Sequence, residues 1–216
     1  MGKKKARRPA RAPHAQRLIV MAKSPLAGHS KRRLAASIGE GPAMRFYRAC
    51  LAHTLMRLGR DPRWHTLLAV SPDSDANAAF WPSWIKRFPQ GHGDLGSRME
   101  RLFQRLPPGP AIIVGSDIPS INAGDIARAF RLLGDADAVF GGAPDGGYWL
   151  VGLRRFPRLL APFVGVRRSS PHALADTLRN LEGRRIAFAA TQSDVDTEED
   201  CCRLRGNWER LIPPAR

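Results

Sequence analysis

Residues 111–121 read Ala111-Ile112-Ile113-Val114-Gly115-Ser116-Asp117-Ile118-Pro119-Ser120-Ile121, and this stretch decides the fold. Its apolar run is too short for a free-standing helix and β-branched enough for a strand covered on both faces. Gly115 and Ser116 then leave room for a ligand beside the backbone, and Pro119 stops the ladder from continuing. Asp117 is thereby placed at the carboxyl end of a buried strand. In open α/β sheets ligands bind at that end, so Asp117 is the first candidate for a metal or substrate contact.

On the N-terminal side, Arg17–Lys23 (RLIVMAK) predicts the first strand. It is followed by a loop, 24–30, with Pro25 and Gly28, and by the cationic helix start Lys31-Arg32-Arg33-Leu34. Strand, flexible loop and cation-rich helix make a phosphate-handling arrangement, because loop amides and added positive charge favour an anion. The spacing is not that of a Walker loop. Residues 43–58 place Met44, Tyr47, Leu51, Leu55 and Leu58 at helical period, and Thr66–Val70 reads as a second strand. Asp73 and Asp75 beyond it fit an Asp-rich turn beside Pro72 better than a paired metal site. Trp81 and Trp84 read as packing. Residues 89–99 then carry three glycines in six positions, Gly91, Gly93 and Gly96. Such a run marks close approach of a ligand or another chain segment.

Beyond the central strand, 122–133 predicts a capped helix and 136–140 another buried strand. That strand leads into a strand-turn-strand whose turn holds Asp145, Gly146 and Gly147 ahead of Tyr148 and Trp149. An Asp-Gly pair suits a hairpin, and the glycines on both sides leave open space for a ligand. The last third predicts a helix around 172–181, a strand over 185–190, and a helix opened by 194–200. There Thr197 and Asp200 form a capping-box pattern. Asp194 and Asp196, just before it, can complete a divalent site with Asp117, since hard cations take oxygen ligands.

Composition bounds the rest. With 216 residues, 43% hydrophobic and 25% charged, the simplest reading is one domain over 17–216 behind a disordered basic leader, 1–16, that holds six lysines and arginines and no acid. No segment reaches the apolar length of a membrane helix. Cys50, Cys201 and Cys202 form no pairable framework, which fits a reducing cytoplasm. The formal charge of +16 implies anionic partners. No nucleic-acid motif accompanies it, although the leader keeps nucleic acid open as a partner. Arginines such as Arg128 and Arg131 read as a solvated face. Oligomeric state has no signature in the sequence.

Taken together, five motifs resemble the bacterial DUF2064 family of the nucleotide-diphospho-sugar transferase (GT-A) superfamily, related to the 2-phospho-L-lactate guanylyltransferases. They are 21–25 with Gly28 and 31–35; 90–99; Gly115-Ser116-Asp117-Ile118-Pro119; 145–150; and Asp194-Val195-Asp196-Thr197. The resemblance implies a Rossmann-like three-layer α/β/α sandwich with a mostly parallel sheet. It also implies a site for a nucleoside triphosphate or nucleotide sugar, a small acceptor and a divalent metal, Mg2+ or Mn2+. By it, Lys23, Lys31 and Arg33 hold phosphates beside the Gly28 loop, and Asp117 and Asp196 hold the metal. Gly93, Asp94 and Arg98 line the nucleotide or acceptor side, while Asp145, Gly146, Gly147 and Tyr148 bound the acceptor pocket. Three departures stand out: Arg32 where the family usually has threonine, a loop 26–30 unlike the usual one, and Arg167 where tryptophan is common.

The activity so implied is metal-assisted nucleotidyl transfer from a nucleoside triphosphate, with glycosyl transfer from a nucleotide sugar as the alternative. A binding protein of the same fold without catalysis is the reading from a different class. No Ser-His-Asp, Cys-His or zinc spacing competes with these.

Overall fold

The computed structural model describes residues 15–26, 31–167, 170–197 and 199–200. The leader up to residue 14, the Gly28 loop, residues 168, 169 and 198, and residues 201–216, on which the expected terminal helix falls, lie outside them. Among the described residues, seven strands form one sheet in the order β3-β2-β1-β4-β6-β5-β7. Their ranges are β1 Arg17–Lys23, β2 His65–Ser71, β3 Lys86–Pro89, β4 Ala111–Gly115, β5 Ala138–Gly142, β6 Tyr148–Leu153 and β7 Ile186–Ala189. β1 pairs in parallel with both β2 and β4, and β2 with β3. Only β6 runs antiparallel to its neighbours β4 and β5, while β5 and β7 are parallel.

The helices are α1 Arg32–Ile38, α2 Glu40–Leu58, α3 Leu95–Arg105, α4 Ala123–Asp135 and α5 Ala173–Arg179. Successive side chains of a strand point to opposite faces, and both faces here are covered. Leu18, Val20, Ile112 and Val114 pack with Leu51 and Leu55 of α2 and with Ile126 and Phe130 of α4. Ile19, Ala111 and Ile113 pack on the other side with Met99, Leu102 and Phe103 of α3, joined by Leu174 and Leu178 of α5. Three layers result, α/β/α. The continuous apolar run of β4 is explained by this double burial, for Ala111 to Val114 are all at most 3% exposed.

One segment departs from expectation in detail, and another meets it. β3 forms over Lys86–Pro89, where no strand was expected, and its Pro89 sits at the sheet's edge, where a missing ladder donor is tolerated. Trp81 ahead of it is buried, whereas Trp84 remains 40% exposed. Asp73–Asn77 forms a short 3-10 turn and not a metal pair: the Asp73 carboxylate accepts the Gly91 amide at 2.9 Å.

The strand order matters for function. From β1 the chain builds β2 and β3 on one side, then returns to place β4 on the other. The carboxyl ends of β1 and β4 therefore meet at the topological switch point, the usual ligand crevice of such sheets.

Candidate active site at the switch point

Lys31, Asp117 and Asp196 meet beyond the end of β4. The Lys31 ammonium donates to Asp117 Oδ2 at 2.7 Å and to Asp196 Oδ1 at 2.7 Å. Its side chain is 3% exposed, against 30% and 43% for the two aspartates. Burial alone would pull the ammonium's pKa down, but the two carboxylates outweigh it and hold the pKa above the ordinary lysine value. Lys31 also has a left-handed backbone, φ 56° and ψ 37°, at the N-cap of α1. For a residue with a Cβ such a conformation costs of order 1 kcal/mol or more and persists only where the surroundings impose it.

Each carboxylate has a local reason for its place. Asp117 folds back over Gly115, where a Cβ would lie 2.9 Å from Asp117 Oδ1. The glycine is what lets the carboxylate sit there. Asp194 and Asp196 flank Val195, which is 2% exposed and packed with Leu34, Ala43, Phe46 and Cys50 between α1 and α2. In an extended segment, burying the middle residue turns both neighbours the other way. Oxygens of Asp117, Asp194 and Asp196 accordingly lie within 4.8 Å of one another. Burial, followed by the charges of Asp117 and Asp196, pushes the Asp194 carboxyl up to about 6. The expected capping pattern is present behind this cluster: Asp200 Oδ2 accepts the Thr197 amide at 2.9 Å and Thr197 Oγ1 accepts the Asp200 amide at 3.2 Å.

Two residues that periodicity had read only as packing, or not at all, hold the strand ends in register. Tyr47, on the apolar stripe of α2, donates its phenol proton to the Lys23 carbonyl at 2.9 Å and accepts the Lys23 amide at 2.8 Å. Its oxygen is also 3.1 Å from Ser116 Oγ. One buried hydroxyl thus ties the end of β1 to the end of β4, and burial pushes its pKa up to about 12. Gln90, 4% exposed, donates to the carbonyls of Ala22 at 3.1 Å and Ala69 at 2.9 Å. It pins the glycine loop to the ends of β1 and β2. A tyrosine in an apolar stripe gives no sequence signal of this role; a glutamine at the head of a glycine run is a weak one.

The other candidates are placed as follows. Lys23 is exposed at the end of β1, and Arg33 is exposed on α1 with no partner among the described residues. Gly28 lies outside the described residues. Gly93 has φ +91°, Asp94 caps α3 by accepting the Ser97 amide at 2.8 Å, and Arg98 Nε donates to the Gly93 carbonyl at 2.9 Å. Asp145 accepts the Gly147 amide at 2.9 Å inside its own turn. Gly146, at φ +82°, is pressed against the Pro171 backbone, which a Cβ would strike. Tyr148 opens β6 and is half-buried, its ring 5.5 Å edge-on from Phe140. Arg167, one of the departures, forms a bidentate pair with Asp176 at 2.8 and 2.9 Å. The Arg128 and Arg131 face lines a shallow groove with Arg185 over Leu132 and Ala187, and it shares no residue with the acidic cluster.

With that geometry in place, the comparisons take their meaning. A family described as an uncharacterized protein conserved in bacteria, DUF2064, matches residues 54–170. The chain belongs to the DUF2064 family. The matched span contains Asp117 and the Asp145 turn; Lys31 and Asp196 lie outside it. A candidate nucleotide-diphospho-sugar transferase from Desulfovibrio desulfuricans G20 shares the fold with a TM-score of 0.81 at 23% identity, covering 90% of each chain. The 4-diphosphocytidyl-2C-methyl-D-erythritol synthase of Anaerococcus prevotii DSM 20548 aligns at TM-score 0.59 and 10% identity, over 91% of this chain and 99% of its own. Rv0371c of Mycobacterium tuberculosis H37Rv, in complex with manganese, aligns at 0.51 and 16% identity over 93% and 99%. At these identities the likeness establishes the nucleotide-diphospho-sugar transferase fold. A search of curated proteins returned no match. No helix among the described residues is long and apolar enough to cross a membrane.

Proposed function

We propose that this protein is a metal-assisted nucleotidyltransferase that uses a nucleoside triphosphate and a small phosphorylated or hydroxyl acceptor. The observation that carries the reading is the meeting of Lys31, Asp117 and Asp196 at the switch point of the sheet. There a buried cation and partly open carboxylates share one crevice at the end of β1 and β4. A structural neighbour named as a 4-diphosphocytidyl-2C-methyl-D-erythritol synthase, and a separate neighbour solved with manganese, support the class.

The donor set suits a hard divalent cation. Asp117, Asp194 and Asp196 offer three carboxylate oxygens within 4.8 Å, and oxygen ligands of this type are those that magnesium and manganese accept. In this reading Asp117 and Asp196 hold the metal, with Asp194 beside them. When bound, the ion would neutralise charge developing on the phosphates.

The chain's own residues supply positioning and counter-charge. Lys31 and Arg33, on the first turn of α1, and Lys23, at the end of β1, face the triphosphate with positive charge. The Gly93, Asp94 and Arg98 loop, fixed to the sheet by Gln90, borders the nucleotide. The Asp145–Tyr148 turn borders the acceptor. An acceptor oxygen attacks the α-phosphorus, the bond from that phosphorus to the bridging oxygen breaks, and pyrophosphate leaves with the electron pair, while a hydroxyl acceptor gives up its proton to solvent. Such chemistry needs alignment and electrostatic stabilisation more than a nucleophile on the protein.

The test is pyrophosphate release from each of the four common triphosphates with Mg2+ or Mn2+, against a panel of phosphorylated and hydroxyl acceptors. Acceptor-dependent release with one preferred base supports the reading. Release of nucleoside diphosphate from a nucleotide sugar, with none of pyrophosphate from triphosphates, would replace it with glycosyl transfer.

A further inference from the structure

Lys31 makes two contacts that a simple phosphate-binding lysine would not need. Its ammonium sits between Asp117 and Asp196 at 2.7 Å from each, and a strained left-handed backbone delivers it there. The side chain is almost wholly enclosed while both carboxylates remain partly open. These are two of the oxygens that the proposed function assigns to the metal.

We propose that Lys31 is a built-in counter-cation that competes with the divalent metal for Asp117 and Asp196, so that metal binds weakly until a triphosphate draws the ammonium away. The inference rests on the nucleotidyltransferase reading for the identity of the site. Its physical basis is local. An ammonium and a divalent cation held on the same two carboxylates would repel each other at short range and in a partly dry crevice, where charge interactions are strong. Moving Lys31 alone is costly as well, since it would give up two charge-assisted hydrogen bonds. A triphosphate changes the balance because it offers the ammonium another anion within the same crevice. The two events are therefore coupled, and coupling is reciprocal: whatever the nucleotide does for metal affinity, the metal does for nucleotide affinity.

The experiment is Mn2+ titration in the absence of any nucleotide, read by electron paramagnetic resonance of the free ion, on wild type, Lys31→Gln and Lys31→Arg. Lys31→Gln is expected to bind Mn2+ at least about tenfold more tightly than wild type, the scale of ordinary coupling between two sites. Lys31→Arg keeps the charge and is expected to stay near wild type. Equal or weaker binding by Lys31→Gln, with its circular dichroism unchanged, overturns the proposal while leaving the metal assignment standing. Failure of every protein to bind Mn2+, even with triphosphate present, removes the metal assignment and the proposal together. A second readout needs no variant: amine acylation of Lys31 in the wild-type protein, followed by mass spectrometry. Lys31 is expected to be protected alone and to become reactive as Mn2+ approaches saturation, whereas protection that persists at saturating Mn2+ overturns the exchange.

Discussion

Aspartate does two different jobs along this sheet, one at its central switch point and one at turns to either side. Asp117 and Asp196 both accept directly from a buried ammonium of another element. Asp94 and Asp145 are turned inward on their own backbone, one capping α3 and the other closing a turn. Asp117, Asp94 and Asp145 lie in glycine-bearing motifs, Asp196 does not, and none of the four announces its partner in sequence. The difference is set by what each carboxylate has within reach. At the switch point two strands end side by side and their loops diverge, so the nearest donor is a side chain from another element. At the other turns the chain folds back at once, and the nearest donor is an amide two or three residues on.

This contrast can be broken by mutation. The largest effect is expected for Asp117→Asn, which keeps the shape and removes the charge. Metal-dependent nucleotide binding or turnover should fall by about 100-fold or more, the scale of losing one preorganised electrostatic contact. The protein should still fold, because Asp196 continues to pair with Lys31. An unchanged turnover would take Asp117 out of the site.

Next in size is Tyr47→Phe. It leaves the Lys23 amide and Ser116 hydroxyl without the buried oxygen that joins them. We expect a loss of stability of about 1–3 kcal/mol in urea unfolding, the usual cost of orphaned buried polar groups. Nucleotide affinity should fall with it, since the ends of β1 and β4 lose their tie. A variant as stable as wild type would show that the seam is held by packing alone.

Smaller still is Asp94→Ala, where an N-cap worth about 1 kcal/mol is lost. Thermal unfolding should drop by that amount while Mn2+ affinity stays at the wild-type value. Loss of metal binding in this variant would erase the distinction between the two kinds of aspartate.

The smallest effect is a pH dependence. The Arg167 guanidinium beside Asp176 holds that carboxyl well below the usual carboxylate range. A depressed pKa contributes stability above the unfolded value near about 4, and that contribution is lost as pH falls through the folded pKa. Asp176→Asn should therefore flatten the acid limb of stability against pH below about 4 and leave neutral pH less stable. An identical acid limb in both proteins would mean that Arg167 and Asp176 do not pair in solution.

Much of the fold was legible because burial leaves a periodic trace. The run at 111–114 announced a strand covered on both faces, and the capped helix expected over 122–133 is present, its cap a box formed by Asn122 and Asp125. β3 was not legible: four residues at an edge, ending in proline, bury too little to leave a pattern. The placement of the candidate residues was legible in part. Asp117 followed from its place at a strand end, and Asp194 with Asp196 from their alternate positions; the burial of Val195 between them is a finding of the structure. The Lys31 bridge was not legible, because it joins positions 86 and 165 residues apart in sequence and local pattern does not reach so far. Tyr47 was hidden for another reason: its ring satisfies the apolar stripe of α2, and only the tertiary contact reveals the work of its hydroxyl.

The most direct measurement is a thermal-shift panel of nucleoside triphosphates with and without Mg2+, run on wild type and Asp117→Asn together. A ligand that binds only the folded protein raises its apparent stability. The account expects one triphosphate to stabilise wild type only when Mg2+ is present, and expects no such metal-dependent shift in Asp117→Asn. The same metal-dependent shift in both proteins, or none in wild type with any triphosphate, would contradict it.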